Sequence, residues 1–185
     1  MNGERIECRA IPVPPQQLVI QRITRIILFA GFTAVGAQLA VPLPFTPVPL
    51  TLQTLFVVMA VILLGPRDGF YAMGSYIGLG LLGAPIFAGF TFGPAILFGP
   101  TGGYLVAFPA AALVAGSLAR SIGRGRFGLF VSALSGSALI LLSGTLYLSL
   151  VTRTPLASAA IAGALPFAAG EAIKAAVAAG VASRR

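Results

Sequence analysis

Residues 104–150 read YLVAFPAAALVAGSLARSIGRGRFGLFVSALSGSALILLSGTLYLSL. Two apolar runs, Tyr104 to about Leu118 and Phe127 to about Leu150, flank a short loop that carries Arg120, Arg124 and Arg126. Uninterrupted runs near the ~20 apolar residues that a helix needs to cross a bilayer read as transmembrane spans. The basic loop between them reads as a cytoplasmic connection. The whole chain shares this character. Of 185 residues, 57% are hydrophobic and 9% are charged, against about 25% charged in an average soluble domain. Twelve Lys/Arg and four Asp/Glu are too few to coat a soluble globule. The expected fold is an all-α integral membrane protein of six transmembrane helices, with no room for a soluble domain.

Working outward, the N-terminal side holds three more spans. Met1 to Gln21 is mixed and proline-containing, and reads as a cytoplasmic tail before a membrane domain over residues 22–185. A cleavable signal peptide is the other reading of Arg22 and Arg25 ahead of an apolar run, but no cleavage region follows. The first span runs from about Ile23 to Val41; Pro42, Pro44, Pro47 and Pro49 then impose an extended, stiff loop. A short second span covers Leu50 to Leu64. Gly65-Pro66-Arg67-Asp68-Gly69 reads as a tight charged turn before a third span from Phe70 to about Leu82. Between Gly83 and Gly103 the chain is apolar yet dense in helix breakers, and Phe92-Gly93-Pro94 echoes Phe98-Gly99-Pro100. Backbone of that kind cannot face lipid, because its N–H and C=O groups would stay unpaired. It is either a cover over a pocket, built with Phe87, Phe90, Phe92 and Phe98, or a re-entrant structural loop. On the C-terminal side, Thr154-Pro155 reads as the N-cap and first residue of a short surface helix, and Pro166 opens the last span.

The charges report topology. With the N-terminus inside, ten arginines (5, 9, 22, 25, 67, 120, 124, 126, 184 and 185) lie on the cytoplasmic side and Arg153 alone lies outside. That bias places both termini in the cytoplasm and turns the two structured, nearly uncharged loops outward. The net charge of +8 is therefore not a nucleic-acid surface, since its arginines form no single stripe. Several chemistries are excluded. There is no His, and the lone Cys8 lies in the polar tail, so His/Cys metal sites and His-based acid–base systems cannot form. Four scattered carboxylates supply no di-metal cluster, and no Walker-type phosphate loop occurs. Any ATP hydrolysis belongs to another chain, and no cofactor is expected.

Only Glu171 and Lys174 are ionisable within a span, a costly placement that points to function. Their i,i+3 spacing puts them on one helix face. Glu171 lies five residues past Pro166, or roughly 7 Å into the helix at 1.5 Å per residue. Two readings remain: a buried ion pair that fixes helix packing, or the polar end of a site for a small amphipathic ligand. Thr51, Gln53 and Thr54, at the start of the second span, serve either as ligand contacts or as interhelical hydrogen-bonding groups. Small residues spaced by four, among them Ala30/Ala34, Gly74/Gly78, Ala107/Ala111/Ala115 and Ala172/Ala176/Gly180, permit close helix approach.

With these segments laid out, the sequence resembles the BioY family, the biotin-specific substrate-binding (S) components of energy-coupling factor (ECF) transporters. The resemblance rests on LPFTPVPLTLQT (residues 43–54), LLGPR (63–67), GLLGAPIFAG (80–89), FGPTGGY (98–104) and LPFAAGEAIK (165–174). One departure is Glu171, where the family usually carries Asp; the extra methylene keeps the charge and moves the carboxylate outward. The resemblance implies six helices in the cell membrane, both termini cytoplasmic, and a biotin site near the outer face under the first and third loops. It implies that Glu171 accepts from ureido N–H groups, that Lys174 donates to the ligand, and that Phe87, Phe90 and Phe92 wall the bicyclic ring. Gln53, Phe45, Thr46, Gly89 and Tyr104 complete the implied binding set. Ala30 and Ala34 match a first-helix motif that packs on the transmembrane coupling subunit, which works with separate ATPase subunits. The rival readings are a structural membrane subunit, an S component for another vitamin, and a membrane-embedded enzyme.

Overall fold

The computed structural model describes residues 15–184; Arg5, Cys8, Arg9, Arg185 and most of the expected tail lie outside the described residues. Within that range the chain forms α1 (Pro15–Gln38), a hairpin of β1 (Ala40–Val41) and β2 (Leu50–Thr51), α2 (Gln53–Leu64), α3 (Pro66–Leu81), α4 (Gly102–Ile122), α5 (Arg126–Thr152), α6 (Leu156–Gly163) and α7 (Leu165–Ala182). Between α3 and α4 the backbone is irregular, with short 3-10 turns at Ala88–Phe90 and Pro94–Phe98. The segments expected as spans fold as α1 to α5 and α7. Four of them, α1, α4, α5 and α7, are long and apolar enough to cross a membrane. α2 has 12 residues, about 18 Å at 1.5 Å per residue, which is shorter than a ~30 Å hydrocarbon core.

Three helices have boundaries that differ from expectation. α1 begins at Pro15, inside the expected tail, and stops at Gln38 because Ala40 and Val41 pair antiparallel with Thr51 and Leu50. The expected charged turn is reduced to Gly65, whose φ of 87° suits glycine, and Pro66 already occupies the first turn of α3. Asp68 then sits in that first turn, where the helix dipole favours a carboxylate, and accepts from Arg22 of α1 at 2.6 Å. Pro155 precedes α6 and does not open it: it caps Leu156 from an extended conformation.

α4 and α5 form the most extensively packed helix pair. Ala107, Ala111 and Ala115 are buried along α4, and Gly136 of α5 faces Ala115 so closely that a Cβ there would lie 3.0 Å from it. This small-residue series is internal packing, whereas Gly74 and Gly78 on α3 face open space. Near the other end of the same pair, the Tyr104 ring occupies the notch that Gly144 leaves, and its hydroxyl donates to the Gly163 carbonyl at 2.7 Å. α4, α5 and the α6–α7 corner are thereby held together.

The connections sort to opposite ends. The start of α1, the α2–α3 and α4–α5 junctions and the end of α7 share one end, tied by Arg22–Asp68 and by Arg126 Nε donating to Ser183 Oγ at 3.3 Å. The β-hairpin, the α3–α4 loop and the α5–α6–α7 connection share the other, tied by the Tyr104–Gly163 bond and by Tyr147 donating to the Leu97 carbonyl at 2.7 Å. Gly144→Ala places a methyl group on the Tyr104 ring, and overpacking of this kind costs about 1–3 kcal/mol. Thermal unfolding in detergent, followed by circular dichroism, is expected to show a lower Tm for Gly144→Ala, while Gly74→Ala, which meets open space, leaves Tm unchanged or raised.

Candidate functional site

The charged pair sits at the hairpin end of the bundle, about one and a half turns into α7. Lys174 Nζ lies 2.7 Å from Glu171 Oε1, with both side chains almost fully buried. Burying two charges is tolerable only when most of the remaining donors and acceptors are also matched, and here all but one acceptor position is. Lys174 also donates to the Thr51 carbonyl at 2.7 Å and to Thr54 Oγ1 at 2.8 Å. Thr54 in turn donates to Glu171 Oε1 at 2.6 Å, and Ser137 of α5 donates to Oε2 at 2.8 Å. All three ammonium donors are thus engaged. A carboxylate offers about four acceptor positions; Oε1 receives two donors and Oε2 receives one, so Oε2 keeps an acceptor position open. The network joins α7 to β2, α2 and α5.

This network floors a cavity of about 380 Å³, within the 300–1,000 Å³ usual for small-molecule sites. Thr51, Gln53, Thr54, Glu171 and Lys174 give it one polar end; Val48, Phe87, Leu105, Phe108, Ile140 and Phe167 give it apolar walls. Gln53 donates through Nε2 to the Tyr76 hydroxyl at 2.9 Å. Its carbonyl oxygen receives no donor among the described residues.

Of the expected binding residues, the fold brings together Glu171, Lys174, Gln53, Phe87 and Tyr104, all of which line the cavity. Phe45, Thr46, Gly89, Phe90 and Phe92 do not line it. The reason lies in the loop. Phe87 N–H donates to the Thr91 carbonyl, and between them Gly89 (φ 69°) and Phe90 (φ 57°) reverse the chain through the left-handed region. That reversal turns Phe87 inward, 1% exposed, and leaves Phe90 and Phe92 on the outside at 67% and 59%. Phe45 is likewise exposed, and Thr46 is buried with its hydroxyl accepting from Val48 N–H at 3.2 Å, where it shapes the hairpin loop. On α1, Ala30 is buried against this chain's own core and Ala34 packs beside it; Ile27, Phe32 and Val35 face outward.

Four polar side chains were not among the expected residues. Ser137 completes the Glu171 shell, and Gln38, Tyr76 and Tyr147 tie the α3–α4 loop to α1, α3 and α5. Gln38 and Ser137 carry a readable signal, since a polar group within an apolar span needs a partner. The partner's identity is not readable, because it lies 34 to 49 positions away.

The sequence profile of the BioY family matches residues 10–185. A probable biotin transporter BioY of Pyrococcus horikoshii is 42% identical over 164 residues, spanning 89% of this chain and 95% of that protein. The biotin transporter BioY2 of Lactococcus lactis subsp. cremoris is 39% identical, spanning 86% of this chain and 87% of that one. Among solved structures, the crystal structure of the S-component for biotin from an ECF-type ABC transporter superposes with a TM-score of 0.86 at 28% identity, covering 94% of each chain. The profile and these relatives cover most of the chain, and the chain belongs to the BioY family.

Proposed function

We propose that this chain is the biotin-binding subunit of an ECF-type uptake transporter, a multi-pass protein of the cell membrane and not an enzyme. The observation that carries the reading is the cavity itself: Glu171, Lys174 and Gln53 line it among largely apolar walls, and Glu171, through Oε2, and the Gln53 carbonyl each keep acceptor capacity. Biotin is apolar through its thioether ring and chain and polar at its ureido ring, whose two N–H groups suit those two acceptors. The names of the family relatives support the same ligand. Lys174 holds Glu171 and the Thr51 carbonyl in place, and a ligand oxygen reaches it by replacing Thr54 Oγ1 or Thr51 O. Phe87 and Phe108 wall the ring, while Phe45, Thr46, Gly89, Phe90 and Phe92 shape and cover the mouth.

The arrangement in the membrane follows from charge. Arg22, Arg67, Arg120, Arg124, Arg126 and Arg184 gather at the end opposite the cavity. The proposed topology therefore has six crossings over residues 22–185, a cytoplasmic tail over residues 1–21, both termini inside and the cavity toward the outside. α1 is the most exposed of the four long helices, which suits a face for the coupling subunit built from Ile27, Phe32 and Val35 around Ala34. Separate ATPase subunits supply the energy.

Two outcomes test this reading. Purified wild-type protein is expected to bind labelled biotin saturably at equilibrium, and Glu171→Gln and Lys174→Ala are each expected to weaken binding at least tenfold; undiminished affinity in both variants removes the pair from the site. The ion pair also has a structural cost that can be separated from ligand binding. Removing one partner of a buried pair costs about 3–5 kcal/mol, whereas replacing both by apolar groups is much milder. Unfolding of the ligand-free protein is expected to begin earlier in Lys174→Met than in the Glu171→Met/Lys174→Met double variant, which retains stability but no biotin affinity.

A further inference from the structure

We infer that Gln38, at the end of α1 and outside the cavity lining, is the positioning residue that sets the Phe87 wall and thereby the rate at which the ligand leaves. The inference rests on the biotin reading of the cavity. Gln38 reaches across to the α3–α4 loop and satisfies it from both sides of its amide. Nε2 donates to the Phe87 carbonyl at 3.0 Å and to the Ile86 carbonyl at 3.3 Å, while Oε1 accepts from Phe90 N–H at 3.0 Å. Only this amide orientation serves all three groups, since the two carbonyls need a donor and the N–H needs an acceptor.

The segment it grips is strained. Phe90 has φ 57°, a conformation unfavourable for a residue with a Cβ that persists only where the surroundings hold it. Phe90 itself is mostly exposed, so its own side chain supplies little of that hold; the Gln38–Phe90 bond does. Three residues earlier, Phe87 is fully buried, with its ring seated directly on Gly80 and edge-on to Tyr76 at 5.6 Å between centroids. Tyr76 donates to the same Ile86 carbonyl at 3.1 Å and accepts from Gln53 in the cavity. A continuous chain of hydrogen bonds thus runs from the cavity (Gln53) through Tyr76 and Ile86 to Gln38 on α1. Releasing Gln38 leaves the Phe87 carbonyl and the Phe90 N–H without side-chain partners, leaves the Ile86 carbonyl to Tyr76 alone, and removes the restraint on the turn that aims Phe87 inward.

The test is a comparison of wild type, Gln38→Leu, Phe87→Ala and the double variant in detergent or nanodiscs. It reads biotin affinity, biotin dissociation and hydrogen exchange of the 86–91 amides without ligand. Gln38→Leu is expected to raise the dissociation rate at least tenfold with little change in association, and to speed exchange at Phe87 and Phe90 at least tenfold. If Gln38 acts through Phe87, the double variant loses no more affinity than Phe87→Ala alone; a merely structural role gives additive losses. Gln38→Met, of similar length, repeats the comparison if the leucine variant does not fold. Unchanged dissociation and exchange in the Gln38 variant, or additive losses, overturn the inference. Wild-type protein that does not bind biotin overturns instead the reading of the cavity, while the exchange comparison still decides whether Gln38 holds the loop.

Discussion

A carboxylate and an ammonium buried in an apolar bundle can be kept only if nearly every remaining lone pair and proton is matched, and that requirement organises this protein. Glu171 and Lys174 draw in Thr51, Thr54 and Ser137, which fixes the hairpin, α2 and α5 around α7. The pair in isolation is poor evidence of stability, since the desolvation of two charges offsets most of their attraction. Its value is positional. The same contacts that make burial tolerable hold Glu171 and Lys174 at the cavity lining.

The second constraint is backbone. The α3–α4 loop enters an apolar setting with no strand or helix long enough to pair its own N–H and C=O groups, and such groups must find partners within the protein. Three side chains from three helices supply them: Gln38, Tyr76 and Tyr147. The glycines and prolines that made this stretch unreadable as a helix are what let it fold back on itself, with Phe87 lying on bare Gly80. The loop is therefore an ordered wall whose order is borrowed from the bundle.

Much was legible in the residues. Hydropathy located the helices to within about four positions, except that α1 begins at Pro15 and not near Ile23, because a membrane span is specified by composition over a long window. Proline and glycine marked the two elaborated loops, and the two intramembrane charges marked the buried polar network that lines the cavity. The misplacements share a cause. Phe90 and Phe92 sit in the right loop but face away from the cavity, because the direction of a side chain in a left-handed turn depends on two backbone angles that composition does not encode. Ala30 carries the right spacing for a contact surface, yet faces inward, because α1 is rotated by what it packs against.

The amino-acid order alone thus settles the class of the protein, the ends at which its charges gather and the one pair of ionisable groups placed within the spans, since each follows from local chemistry and the cost of charge in lipid. The three-dimensional packing alone settles which phenylalanines wall the cavity, which hydroxyls complete the Glu171 shell and which amide bonds the loop. Those partners lie 34 to 117 positions apart. Contacts at that separation arise only when whole helices have chosen their neighbours and rotations, a choice made jointly by every buried surface at once.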